Sequence, residues 1–175
     1  MVTQGFSLLG HLIVILIIGI TFSVALPGLG EFRSRNTAIA HSQSFQHLLK
    51  YTRSLAIMAQ KPVSLCSSED GSTCTRRIFA KQFIVFRDSN KNYQRDEEEK
   101  IIRLLDLREG AWHYRWKAFR RKPAITFFAN GLTYDNGTFN LCSGKYLQAK
   151  LVLSRSGRTR KVKDKNLITQ TCPRT

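Results

Sequence analysis

Residues Gly5 to Pro27 read GFSLLGHLIVILIIGITFSVALP. From Phe6 to Leu26 the run holds 21 residues. As a helix rising about 1.5 Å per residue it reaches roughly 30 Å, the thickness of one bilayer core. No cationic region precedes the run, and no small-x-small cleavage site follows it. A secretory signal peptide has a basic start and a shorter apolar core. The stretch therefore reads as an anchor kept in the mature protein.

Downstream of Pro27 and a Gly28-Leu29-Gly30 break, helical character returns over residues 31–60. Ile39, Phe45, Leu48, Leu49, Leu55, Ile57 and Met58 interleave with Arg35, Gln43, Lys50 and Arg53. That spacing of three and four is the period of an amphipathic helix, bent near Pro27 and ended by Lys61-Pro62. Its apolar face needs a cover. Short strand signals supply one: Val63–Cys66, Phe79–Phe86, Lys100–Leu107, Ala111–Trp116, Ala124–Phe128, Gly137–Cys142 and Leu147–Arg155. Asn130-Gly131, Asn136-Gly137 and Ser156-Gly157 mark turns between them. One helix followed by many short strands predicts an α+β fold, an antiparallel β-sheet packed on the helix.

The formal charge is +16. Between Gly110 and Thr175 stand 14 Lys/Arg against two acids, Asp135 and Asp164. Such a surface implies a polyanionic partner: nucleic acid, anionic lipid or an acidic protein. The even number of cysteines behind an anchor predicts an oxidising compartment and two disulfides. Three pairings are open, and locality favours Cys66–Cys74 with Cys142–Cys172. Zinc is disfavoured, since there is no CxxC and no nearby histidine. No nucleophile–base pair, metal set or phosphate loop points to an enzyme or a cofactor.

Gly5-Phe6-Ser7-Leu8-Leu9 before an apolar helix resembles the leader of type IV pilins and pseudopilins. In that family a prepilin peptidase cuts after the glycine and methylates the new N-terminal Phe, here Gly5 and Phe6. Residues 1–5 would then be the leader, 6–29 the transmembrane and assembly half of the helix, and 30–175 the pilin head. The fifth mature position, usually Glu in the family, is Gly10, which would suit a rare subunit near a filament tip. The later order also fits: a Cys-bounded loop, a strand ending Val85-Phe86-Arg87-Asp88, an Ile-Ile-Arg-Leu strand, an Ile-Thr-Phe strand and a late Ser-Gly-Arg. It resembles the FimT/FimU minor type IV pilins and the related GspH pseudopilins. The implied partners are other pilins and, before assembly, the inner membrane; the implied location is an extracellular pilus.

Gly157-Arg158-Thr159-Arg160 matches the Gly-Arg-x-Arg motif through which FimT-type pilins contact DNA in natural transformation (competence). The chemistry is sound on its own terms. A glycine turn would bring backbone near a phosphate, and planar guanidiniums grip phosphate oxygens bidentately. On a strand, Arg158 and Arg160 share a side, while Lys161 and Lys163 face the other way for a two-sided grip. Arg155 precedes the turn. A second basic cluster, Arg115, Lys117, Arg120, Arg121 and Lys122, is interleaved with Trp112, Tyr114, Trp116 and Phe119. The aromatics read as core, and Arg120, Arg121 and Lys122 as an auxiliary DNA contact. Asp88, Asn90, Asn92, Asp96 and Glu99 hold calcium-loop spacing, but Tyr93 replaces the required glycine and the segment reads as a hairpin turn. Two functions remain: a pilin that captures DNA without sequence preference, or a structural minor pilin or pseudopilin that primes assembly.

Overall fold

The computed structural model describes residues 8–75, 79–107, 111–118, 122–163 and 170–173; the side chains of 22, 24–29, 31 and 79 also lie outside the description. Gly5, Phe6, Arg120 and Arg121 fall outside it. The chain divides into two compact units, residues 1–37 and 38–175. Helix α1 spans Leu8–Ala59. It is assigned without interruption through residues 27–30, so the expected break is absent. Gln60 ends it at φ 51°, the left-handed residue that commonly closes a helix. Pro62 bars a further turn.

In the first unit, the apolar side chains of Leu8, Leu12, Ile15, Leu16 and Ile20 are exposed. Among the described residues, no helix is long and apolar enough to cross a membrane.

The second unit holds the strands β1 (Val63–Ser68), β2 (Phe79–Ala80), β3 (Gln82–Arg87), β4 (Ile101–Asp106), β5 (Trp112–Ala118), β6 (Ala124–Phe127), β7 (Gly137–Ser143), β8 (Tyr146–Leu153) and β9 (Thr159–Lys161). They form two antiparallel sheets rather than one, ordered β4-β3-β1-β6 and β2-β5-β7-β8-β9. The expected single strand Phe79–Phe86 is divided at Lys81. Phe79 and Ala80 pair with β5, while Gln82 to Arg87 pair with β1.

The α1 face that meets the sheets is Ala38, Ser42, Phe45, Leu49, Thr52 and Ala56, all buried. The period is the expected one, and Phe45, Leu48 and Leu49 are buried as expected with Leu55 packed against them, but Ile39, Ile57 and Met58 are exposed, and the small residues Ala38, Ser42, Thr52 and Ala56 complete the face. Phe45 joins both sheets, with its ring 4.6 Å from Phe83, 4.2 Å from Tyr114 and 4.6 Å from Phe139. The Tyr114 hydroxyl donates to the His41 carbonyl at 3.0 Å. Trp112 and Tyr114 are core residues and the half-buried Trp116 packs against them, as their pattern predicts, while Phe119 lies outside the described residues.

In the four-stranded sheet β1, β3 and β6 are covered on both faces while the edge strand β4 is largely exposed, so β3 reads QFIVFR with only Arg87 exposed. Its second face buries Ile84, Phe86 and Ala124 beside the Cys66–Cys74 disulfide. Sheet β2-β5-β7-β8-β9 differs. Along β8, Leu147, Ala149, Leu151 and Leu153 are buried, and the residues between them are partly exposed.

Candidate nucleic-acid interface

Strand β9 and its turn carry the Gly-Arg-x-Arg segment. Leu151, Val152 and Leu153 pair with Lys161, Arg160 and Thr159. The connecting turn closes with Gly157 N–H to Ser154 O at 2.9 Å and Ser154 N–H to Arg158 O at 3.0 Å. With Gly157 at φ 72°, this is a hairpin loop built on a tight turn and a left-handed glycine. Arg155, Arg158, Arg160, Lys161 and Lys163 are all exposed.

Gly157 itself is buried. A β-carbon there would lie 2.3 Å from the Gly131 carbonyl oxygen and 2.8 Å from Arg53 Nε. Arg53 on α1 donates to that same Gly131 oxygen at 2.8 Å, and Thr133 N–H donates to Arg155 O at 3.0 Å. Two glycine turns thus press together around one helix arginine. The expectation that Gly157 exposes backbone to a phosphate does not fit these surroundings; its glycine is needed for the packing. The composition of α1 gave no signal of Arg53's role, since only the tertiary contact assigns it.

The two faces of β9 are unlike. Lys161 Nζ donates to Ser42 Oγ on α1 at 3.3 Å, and Gln46 Nε2 donates to Thr159 O at 3.3 Å. One face of β9 is thus turned to α1, with Lys161 still exposed at its edge. Arg160 stands opposite Val152 on the other face, and Arg158 is exposed in the turn just before the strand. Of the auxiliary cluster, Lys122 lies with Nζ 4.3 Å from the Tyr93 ring centre. That cation–π contact ties it to the Asn-rich loop.

That loop uses its oxygens internally. Asp88 is buried and accepts from Ser64 Oγ, Asn92 N–H and Tyr93 N–H. Asp96 accepts from the Asn90 and Asn92 amides, and Glu99 from Ser89 N–H. Lys91 and Tyr93 both have positive φ, 61° and 64°. The arrangement is a turn held by side-chain caps. Arg95 links it to the disulfide loop by donating to Ser72 O at 3.0 Å.

The cysteines pair as locality favours, Cys66 with Cys74 and Cys142 with Cys172. A bulge between Leu141 and Cys142 skips one residue of β8 and sets Leu147 opposite Cys142. Leu147 then packs with the Cys142–Cys172 bridge. Backbone bonds Leu147 N–H to Gln170 O and Cys172 N–H to Lys145 O fasten the tail, and Arg115 Nη1 donates to Pro173 O. Among the described residues, His113, Cys142 and Cys172 are the group whose metal-binding atoms come together, and both of its sulfurs are spent in the disulfide.

A helix whose small-residue face enters the junction of two antiparallel sheets, with disulfide-tied loops, defines an α+β protein of the type IV pilin class. The profile of the family described as Type II transport protein GspH matches residues 41–157, so the chain belongs to the GspH family and is a GspH-like minor pilin. The type IV minor pilin FimU of Pseudomonas aeruginosa has a similar structure, with TM-score 0.55 and 18% identity over 81% of this chain and 96% of that one. The minor pseudopilin EpsH of the Vibrio cholerae type II secretion system matches at TM-score 0.50 and 12% identity over 73% of this chain and 94% of that one. No curated protein matches the sequence. Membership implies association with other pilins or pseudopilins and a place in a pilus-type filament. The family match stops at Gly157, and the arginines lie beyond it.

Proposed function

We propose that this minor pilin binds extracellular DNA through phosphate contacts from Arg158 and Arg160, assisted by Arg155, Lys161 and Lys163, for uptake in natural transformation. The observation that carries the reading is two exposed arginines, Arg158 in the turn and Arg160 on β9, on a hairpin packed through Gly157, Gly131 and Arg53. A fixed base lowers the entropy cost of ordering the arginines on binding. Phosphate contacts bring little sequence preference, which suits uptake of any DNA.

Anchoring and processing complete the proposal. Residues 6–29 enter the inner membrane before assembly, and prepilin peptidase acts at Gly5-Phe6. The exposed apolar side chains from Leu8 to Ile20 support this. So do Thr21 and Ser23, whose hydroxyls donate to the Ile18 and Ile20 carbonyls at 2.8 and 2.7 Å, because a hydroxyl satisfied inside its own helix is tolerated in lipid.

The test is binding of the purified full chain, held in detergent, to unrelated duplexes across a salt series. Contact with about four to six phosphates gives a log–log slope of roughly −4 to −5. Arg158→Gln and Arg160→Gln should each weaken binding several-fold. Binding indifferent to both changes, or absent at low salt, rejects the proposal. A purely structural role in priming a pilus or pseudopilus is favoured by one observation, that the family match ends before the arginines. In that case deleting the gene removes filaments altogether, whereas the DNA reading expects filaments to persist and transformation to fail.

A further inference from the structure

Cross-strand register joins the two basic clusters of the sequence. Lys117 on β5 stands opposite Thr138 on β7, Thr138 opposite Val152 on β8, and Val152 opposite Arg160 on β9. The neighbouring row runs Arg115, Asn140, Lys150. Directly opposed residues share a face of the sheet. Here it is the face away from the core, since Trp116, Phe139 and Leu151 fill the alternate positions and pack inward.

Lys117 and Arg160 are exposed, while Thr138 and Val152 between them are half-buried. The row is therefore a low floor of short side chains between two cationic rims. Three strand spacings of about 4.8 Å set the rims roughly 14 Å apart, close to the ~12 Å width of the major groove. Lys150 is one row over, and Arg158 extends the β9 rim. None of the five strands contains Asp or Glu. A face of like charge contributes nothing to folding and attracts a polyanion. A lipid-binding face would set large, exposed apolar side chains among its cations, and the apolar residues beside these cations are the half-buried Val152 and Val162. Arg115 is already engaged, its guanidinium held by the Pro173 carbonyl of the tail.

We infer that the DNA-binding surface is this outer sheet face, with Lys117 and Lys150 as phosphate ligands beside Arg158 and Arg160. The inference rests on the DNA reading above and extends it from the hairpin tip to the sheet. The test uses the full chain in detergent with a duplex of arbitrary sequence between about 50 and 200 mM salt, where counterion release dominates affinity. Lys117→Gln and Lys150→Gln should each weaken binding roughly three- to tenfold at the low-salt end and shrink the slope by about one. Lys117→Arg should retain binding, and Lys61→Gln, an exposed cation at the end of α1, should change neither quantity. If Lys117→Gln and Lys150→Gln behave like Lys61→Gln while Arg158→Gln and Arg160→Gln still weaken binding, the sheet-face inference is overturned and the proposed function stands. No duplex binding by the unaltered chain overturns both. Anionic vesicles that bind the chain with the same lysine dependence and displace the duplex overturn it in favour of a lipid partner.

Discussion

Position 157 is where a structural demand meets, in the next residue, the proposed binding role of Arg158. Alanine there would have to hold φ near 72°, which costs roughly 1–2 kcal/mol for a residue with a β-carbon. Its β-carbon would also meet the Gly131 carbonyl at 2.3 Å, backbone that is itself bonded to Arg53. Gly157→Ala should therefore destabilise the protein by about 2–4 kcal/mol, in the range of strained or overpacked sites. Arg158→Gln, one residue along and exposed, should stay within about 0.5 kcal/mol of the unaltered chain. Thermal melts of both variants check this. A Gly157→Ala protein that melts with the parent would mean that the two turns separate easily, and the arginines would then lack a fixed base.

Among the elements, the two disulfides close loops of different length, with sequence separations of 8 and 30. In the chain-entropy account the longer loop constrains the unfolded state more, about 3.7 against 2.6 kcal/mol. Replacing Cys142 and Cys172 by Ala should thus lower the denaturation midpoint more than replacing Cys66 and Cys74. The reverse order in urea titrations would show that native-state effects dominate. Both pairings were legible because each cysteine sits near its partner in a run of turn residues or at the chain end. The helix, its end at Lys61-Pro62 and most strand positions were legible from period and turn chemistry. Three things were not. The switch between sheets at Lys81 was not read from FAKQFIVF because both halves are strand-like and the two polar residues Lys81 and Gln82 fit within a single strand. The helix face was legible only in part: Phe45, Leu48 and Leu49 are buried as read, whereas Ile39, Ile57 and Met58 are exposed and the buried Ala38, Ser42 and Ala56 carry no strong hydrophobic signal. The outer basic face was hidden because Lys117, Lys150 and Arg160 lie far apart in sequence, and only register aligns them.

For the molecule as a whole, pH acts on an already strongly cationic chain. Burial lowers the pKa of His41 and of His113 from 6.5. At His113 burial outweighs the upward pull of the Ala111 carbonyl, and the nearby Arg115 and Lys81 charges add to the lowering. In the unfolded chain both rings take a proton near pH 6.5, while the folded chain resists. Below that pH the unfolded state binds more protons, so stability is full above 6.5 and declines as pH falls through the histidine range. Each added proton also raises a net charge of +16, which works in the same direction. Asp70 acts lower on the scale. Four hydrogen bonds from Ser72 and Thr73 hold its carboxyl far below the usual 3.8, so its contribution persists until the pH falls below that value. The melting temperature should therefore be flat from about pH 8 to 7 and fall between about pH 6.5 and 5, as the histidine titration requires. His41→Gln combined with His113→Gln should flatten the fall. A melting temperature that holds or rises toward pH 5 in the unaltered chain would contradict the burial of these rings. If the folded head binds DNA as proposed, saturating duplex should raise the whole curve by mass action, and the gain should grow as salt is lowered because the proposed contacts are to phosphate.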